Sequence, residues 1–258
     1  MSIKKILIPT DFSEAARNAV NYALNFIEEG DQIEMTLLHV ISPDVDQEEV
    51  DEMAANLEKL DQELSSNPDL RLTRIMRHGD LTTCVLEVQQ EVSADLIVIG
   101  TKGASGEEVH TNTSRIVTEV DCPVLVIPQK NEGFALKNIA LALGRNEIDD
   151  TFSLSVLHNI ARKFGAKVHI LTISREDDSN SIDKNESVLE YYLETLDYQY
   201  SFPKNTDIEK GIFDYVKEKS IDMLAILPRN HAKKSKPSEG RLTKLLTLHT
   251  ELPLLTID

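Results

Sequence analysis

Apolar residues along this chain gather in short continuous runs, each followed by a polar turn and then by a longer stretch with apolar positions three and four apart. The runs fit strands buried on both faces, and the longer spacing marks amphipathic helices. Residues 3–9 predict a first strand ending at Thr10-Asp11-Phe12-Ser13, where Ser13 is placed to cap a helix. That helix carries Ala16, Val20, Ala23, Leu24 and Ile27 on one face and stops near Gly30. Residues 35–41 predict a second strand, and residues 46–64 an acidic helix with Val50, Met53, Leu57, Leu60 and Leu64 inward. Residues 70–77 are a more polar strand, as suits a sheet edge. Asp80 then caps a helix bearing Leu81, Val85, Val88 and Val92, and residues 95–99 are almost wholly apolar. A glycine-bearing loop, residues 100–106, leads to a helix ending near Val120, and residues 123–127 form a fifth strand.

After a polar linker at residues 130–133 the cycle restarts. Strand 138–143, a helix through Leu154, Val156, Leu157 and Ile160, and strand 168–173 come first. A polar loop at 174–185, a helix around 188–196 and a helix face of Ile208, Ile212, Phe213 and Val216 follow. Two segments recur between the halves. Ser93-Ala94-Asp95-Leu96-Ile97-Val98-Ile99-Gly100 returns as Ser220-Ile221-Asp222-Met223-Leu224-Ala225-Ile226-Leu227, and Cys122-Pro123-Val124-Leu125-Val126-Ile127-Pro128 as Leu252-Pro253-Leu254-Leu255-Thr256-Ile257-Asp258. Strands alternating with helices across short connections predict an α/β fold: two tandem open parallel sheets with helices on both faces, in domains 1–130 and 137–258. The strand cores persist between copies, whereas Asp11 aligns with Gly144, Val40 with Thr172, Gly100 with Leu227 and Gly103 with Asn230. Only the first copy keeps residues suited to a ligand.

The formal net charge of −17 argues against nucleic acid or an anionic membrane as the main partner. No apolar stretch approaches a membrane span, and the N-terminal run is too short for a signal peptide, so a cytoplasmic location is expected. Cys84 and Cys122 lack metal or redox spacing, and His78, His110 and His249 lack partners at ligand spacing. No serine or cysteine stands beside an identifiable base, so catalysis is not expected. His39 reads as a core histidine with its hydrogen bonds met. Arg229, His231, Lys233, Lys234 and Lys236 read as a solvated basic loop, and Tyr191, Tyr192, Tyr198 and Tyr200 stand among acids, unlike a base-stacking platform.

In open α/β sheets ligands sit beyond the carboxyl ends of the strands, which here carry Thr10-Asp11, Val40 and the loop from Gly100 to Gly106. Glycine lets backbone approach a phosphate, and helix-start N–H groups favour an anion. The spacing is neither a Walker A loop nor a dinucleotide fingerprint. Taken in order, Ile6-Leu7-Ile8-Pro9-Thr10-Asp11-Phe12-Ser13, Leu37-Leu38-His39-Val40, His78-Gly79-Asp80, Asp95 through Gly103 and Cys122 through Pro128 resemble the tandem universal stress proteins. The resemblance implies a five-stranded parallel sheet of order 3-2-1-4-5 in each half. It also implies pairing of the halves as a pseudo-dimer through their last strands, residues 124–127 and 254–257, and it leaves room for a homodimer of whole chains.

Some members of that family bind ATP and others do not. In the binders the aspartate after the first strand and a valine of the second meet the adenosine. A glycine pattern of G, two residues, G, nine residues, G and Ser/Thr holds ribose and phosphates. Carried onto this chain, the cofactor-binding residues are Pro9, Thr10, Asp11, Val40, Gly100, Thr101 and Gly103, then Thr113 where the pattern has glycine, and Ser114. A second alignment makes Asn112 or Thr113 a helix cap and sets Ser114 in the first turn. The expected function is a stress-response protein whose first domain senses an adenine nucleotide, ATP with or without magnesium, beside a structural second domain. The alternative is a nucleotide-independent interaction protein with both repeats as scaffold.

Overall fold

Strand and helix alternate through both halves of the chain. The computed structural model describes residues 3–102, 111–131, 133–143, 154–174, 186–227, 247 and 251–257. The chain divides into two compact units, the change falling between Phe134 and Ala135.

The first unit comprises β1 (Lys5–Pro9), α1 (Glu14–Leu24), β2 (Ile33–Ile41), α2 (Gln47–Leu64), β3 (Leu70–His78), α3 (Leu81–Val92), β4 (Leu96–Thr101), α4 (Asn112–Glu119) and β5 (Val124–Pro128). Its strands lie parallel in the order β3-β2-β1-β4-β5. The chain therefore winds one way from β1 to β3 and the other way through β4 and β5. Right-handed crossovers then put α1 and α2 on one face of the sheet and α3 with α4, which pack together, on the other. Leu7, Ile8, Met35, Leu37, Leu38, Leu96, Ile97, Val98 and Val124 to Ile127 have essentially no exposed surface, which is why these strands read as apolar runs.

The second unit repeats the winding with β6 (Asn138–Ala142), α5 (Leu154–Phe164), β7 (Lys167–Leu171), α6 (Glu186–Leu193), β8 (Tyr198–Ser201), α7 (Ile208–Glu218), β9 (Met223–Ile226) and β10 (Leu254–Thr256). Its order, β10-β9-β6-β7-β8, is again 3-2-1-4-5 within the unit.

The duplicated Ser-x-Asp motif has one structural role in both units. Ser93 and Ser220 adopt φ +53° and +51°, the left-handed turn in which the chain leaves α3 and α7. Two residues on, Asp95 Oδ2 accepts the N–H groups of Lys4 and Lys5, each at 2.9 Å. Asp222 Oδ2 likewise accepts Lys137 N–H at 2.7 Å and Asn138 N–H at 2.8 Å. Each carboxylate thereby pins the entry of the unit's central strand.

Three readings of the sequence change here. The helix after Ser13 ends at Leu24 rather than near Gly30, its C-cap being Asn25. The third strand that the resemblance implies for the second half, β8, is four residues long and half-buried, and the residues did not place it because Tyr198-Gln199-Tyr200-Ser201 is too short and polar to stand out. The copies also align one residue differently at β2 and β7. Thr10 N–H donates to Leu38 O and Leu143 N–H to Leu171 O, both at 2.8 Å, so Leu38 matches Leu171, His39 matches Thr172 and Val40 matches Ile173.

Candidate functional site

Where the winding reverses, the carboxyl ends of β1 and β4 diverge and leave a cavity of about 560 Å³. Pro9, Thr10 and Asp11 line it at and just beyond the end of β1, Val40 and Ser42 about the end of β2, and Gly100, Thr101 and Lys102 about the end of β4. The first turns of α3 and α4 close it with Asp80, Asn112 and Thr113. Seven residues anticipated from the sequence therefore meet in one place: Pro9, Thr10, Asp11, Val40, Gly100, Thr101 and Thr113. Gly103 lies outside the described residues, as do Gly144, His110, His249 and the basic cluster from Arg229 to Lys236.

Local bonding sets each group. The Asp11 carboxylate is exposed at the cavity, with Oδ1 accepting Ser13 N–H at 3.0 Å. Thr10 is buried, its Oγ1 accepting Phe12 N–H at 3.2 Å. Ser13 Oγ caps α1 by accepting Ala16 N–H at 3.3 Å.

At α4 the cap is Thr111, one residue before the two positions considered from the sequence. Thr111 Oγ1 accepts Ser114 N–H at 3.2 Å, while Ser114 Oγ accepts Thr111 N–H at 3.0 Å and donates to Thr111 O at 2.9 Å. Ser114 is 1 % exposed, and its hydroxyl is committed to the cap rather than to the cavity. Asn112 and Thr113, the first two helical residues, hold positions whose N–H groups have no partner within a helix, and both line the cavity. The β-branched Thr113 is buried in the wall.

Gly100 has a different reason for being glycine than phosphate approach. A Cβ there would run into the Ala15 carbonyl group and stand 2.7 Å from Ala16 N. The missing side chain is what lets the first turn of α1 lie against the end of β4. In the second unit Leu227 occupies the matching place, directly after β9.

Asp80, anticipated only as a helix cap, is also part of the cavity wall. Its Oδ1 accepts Thr83 N–H at 3.1 Å and its Oδ2 meets Arg115 Nη1 at 3.3 Å. The Thr83 amide chiefly, with the Arg115 guanidinium beside it, holds the carboxyl below its ordinary range. Asp80 follows a strand end just as Asp11 does, which is the sequence signal that could have placed it here. Among the described residues no group of three or more His, Cys, Asp or Glu is disposed to hold a metal ion. None of the described helices is long and apolar enough to cross a membrane.

The winding and the cavity at its switch point define a duplicated, doubly wound α/β protein. A sequence model of the universal stress protein family matches residues 2–128. Universal stress protein Sll1654 of Synechocystis sp. is 31% identical over 135 residues, covering 48% of this chain and 85% of that protein. Universal stress protein MJ0531 of Methanocaldococcus jannaschii is 29% identical over 143 residues, 48% of this chain and 81% of its own. In fold, a universal stress protein from Archaeoglobus fulgidus superposes with a TM-score of 0.77 at 17% identity, over 100% of this chain and 99% of that one. The chain belongs to the universal stress protein family.

Proposed function

We propose that the first repeat binds an adenine nucleotide, ATP above all, in the cavity between β1 and β4. On this reading the protein is a cytoplasmic, nucleotide-responsive module of a stress response rather than an enzyme. The observation that carries the reading is the convergence of Asp11, Val40, Gly100 and Thr113 on one cavity of about 560 Å³. Asp11 and Val40 stand where the family resemblance puts the adenosine. The Asn112 and Thr113 amides and the Lys102 ammonium supply positive potential for phosphates. The described residues suit a nucleotide, with two changes from the family pattern: Thr113 stands where the pattern has glycine, and Ser114 acts through the helix cap instead of touching the ligand. Magnesium would come with the phosphates rather than from a protein cage.

The second repeat serves as scaffold. Its counterparts of Thr10 and Gly100 are Leu143 and Leu227, and its counterpart of Val40, Ile173, packs 3.1 Å from where a Cβ on Gly211 would stand.

The test is to purify the chain without added nucleotide, denature it and analyse the released small molecules. Thermal shifts with ATP, ADP and AMP, with and without magnesium, accompany that analysis. Released adenine nucleotide, or a melting temperature that rises with ATP and fails to rise in Asp11→Ala, supports the reading. No release and no shift at millimolar ATP would favour the nucleotide-independent interaction protein.

A further inference from the structure

The aspartate at the cavity is carried by an unusual piece of backbone. Phe12, the next residue, sits at φ +61°, a left-handed conformation that bulky side chains rarely adopt. Its ring stacks on His39 with centroids 4.7 Å apart and planes at 29°. His39 is 6% exposed, and its Nδ1 donates to the Thr10 carbonyl at 2.8 Å. A carbonyl only accepts, so the proton of the neutral ring is on Nδ1. Nε2 is then a buried acceptor, and it has no partner, contrary to the fully bonded core histidine expected from sequence. Thr10 Oγ1 accepts Phe12 N–H and Asp11 Oδ1 accepts Ser13 N–H, so the backbone on both sides of Asp11 is held.

Strained backbone persists only where the surroundings over-determine it. The second repeat supplies the control. Its β7 is followed by Thr172 in place of His39 and its β6 by Leu143 in place of Thr10. In sequence Gly144-Arg145 stands for Asp11-Phe12. A clamp needed for the fold would survive in both copies, as the Ser-x-Asp corner does. This one is missing from the repeat that lacks the aspartate.

We propose that Phe12 and His39 are positioning residues, a ring clamp that aims the Asp11 carboxylate into the cavity before any ligand arrives. Preorganisation of this kind removes an ordering cost from binding. The clamp's effect on affinity rests on the nucleotide reading, but its effect on the loop does not.

The test uses the full chain carrying Phe12→Gly, Phe12→Tyr or His39→Thr. Amide hydrogen exchange is measured without ligand and ATP affinity by calorimetry. Phe12→Gly tolerates the positive φ and removes the ring, so it should fold. It should speed exchange at position 12 and Ser13 at least tenfold, leave the β1 and β2 amides unchanged, and weaken ATP at least tenfold. Phe12→Tyr should keep wild-type exchange and affinity, and His39→Thr should follow Phe12→Gly. Unchanged exchange at Ser13 in Phe12→Gly, acceleration spread equally through β1 and β2, or wild-type ATP affinity in that variant would each overturn the clamp. Local acceleration in a protein whose wild type binds no ATP would support the clamp and sink the nucleotide reading instead.

Discussion

A side chain at position 100 would collide with the Ala15 carbonyl of α1, so this glycine is explained by helix packing before any ligand is considered. The backbone cannot yield as a flexible side chain does, and Gly100→Ala is expected to lower unfolding free energy by more than about 2 kcal/mol, read from urea titration. From the sequence the same glycine pointed to a phosphate, because the two demands leave the same letter. Asp11 was legible as a strand-end carboxylate, whereas the strain at Phe12 was not, since a positive φ in a phenylalanine leaves no mark in the chain. Cys122 was legible as a buried hydrophobe, and it has a testable consequence. Burial, with Asp95 adding to it, pushes the thiol up to about 12, whereas an unfolded chain releases that proton near about 8.5. The native state therefore holds a proton that the unfolded state loses, so this contribution is complete below the unfolded value and fades as pH rises through the window. Stability measured at pH 8 and again at pH 10.5 should fall less in Cys122→Ala than in the wild type.

At the scale of elements, the caps and corners were written more clearly than the ends they lead to. Ser13 and Asp80 each cap the helix that the apolar spacing predicted, because a short polar side chain before an apolar period has few other uses, whereas Asp46, read as the first residue of its helix, is that helix's cap. At α4 the sequence offered Asn112 or Thr113 as the cap, and only the reciprocal bonding with Ser114 shows that the residue before them, Thr111, is the one. Thr111→Ala is expected to cost about 1 kcal/mol of stability and to loosen the helix start that faces the cavity. The strand β8 stayed hidden because tertiary pairing with β7, through Val168 to Leu171, makes a strand of residues with little apolar alternation. The site was partly hidden for the same reason. Asp80 and Asn112 come from segments distant in the chain, and only the convergence of β3's end with α4's start brings them to Asp11.

Across the whole molecule, duplication separates what the fold requires from what one repeat alone keeps. Sheet order, the left-handed serine and the strand-pinning aspartate occur twice. Asp95→Ala and Asp222→Ala should therefore destabilise their own units comparably, by about 1–3 kcal/mol each, in a chemical denaturation experiment. Asp11, Thr10, Phe12, His39 and Gly100 occur once, and they surround or support one cavity. One functional repeat and one scaffold repeat are therefore expected in the same chain. Isothermal titration calorimetry of the full chain with ATP and magnesium tests this most directly. The expected result is one site per chain, lost in Asp11→Ala and unchanged in Ile173→Ala; two sites per chain, or none, would contradict it.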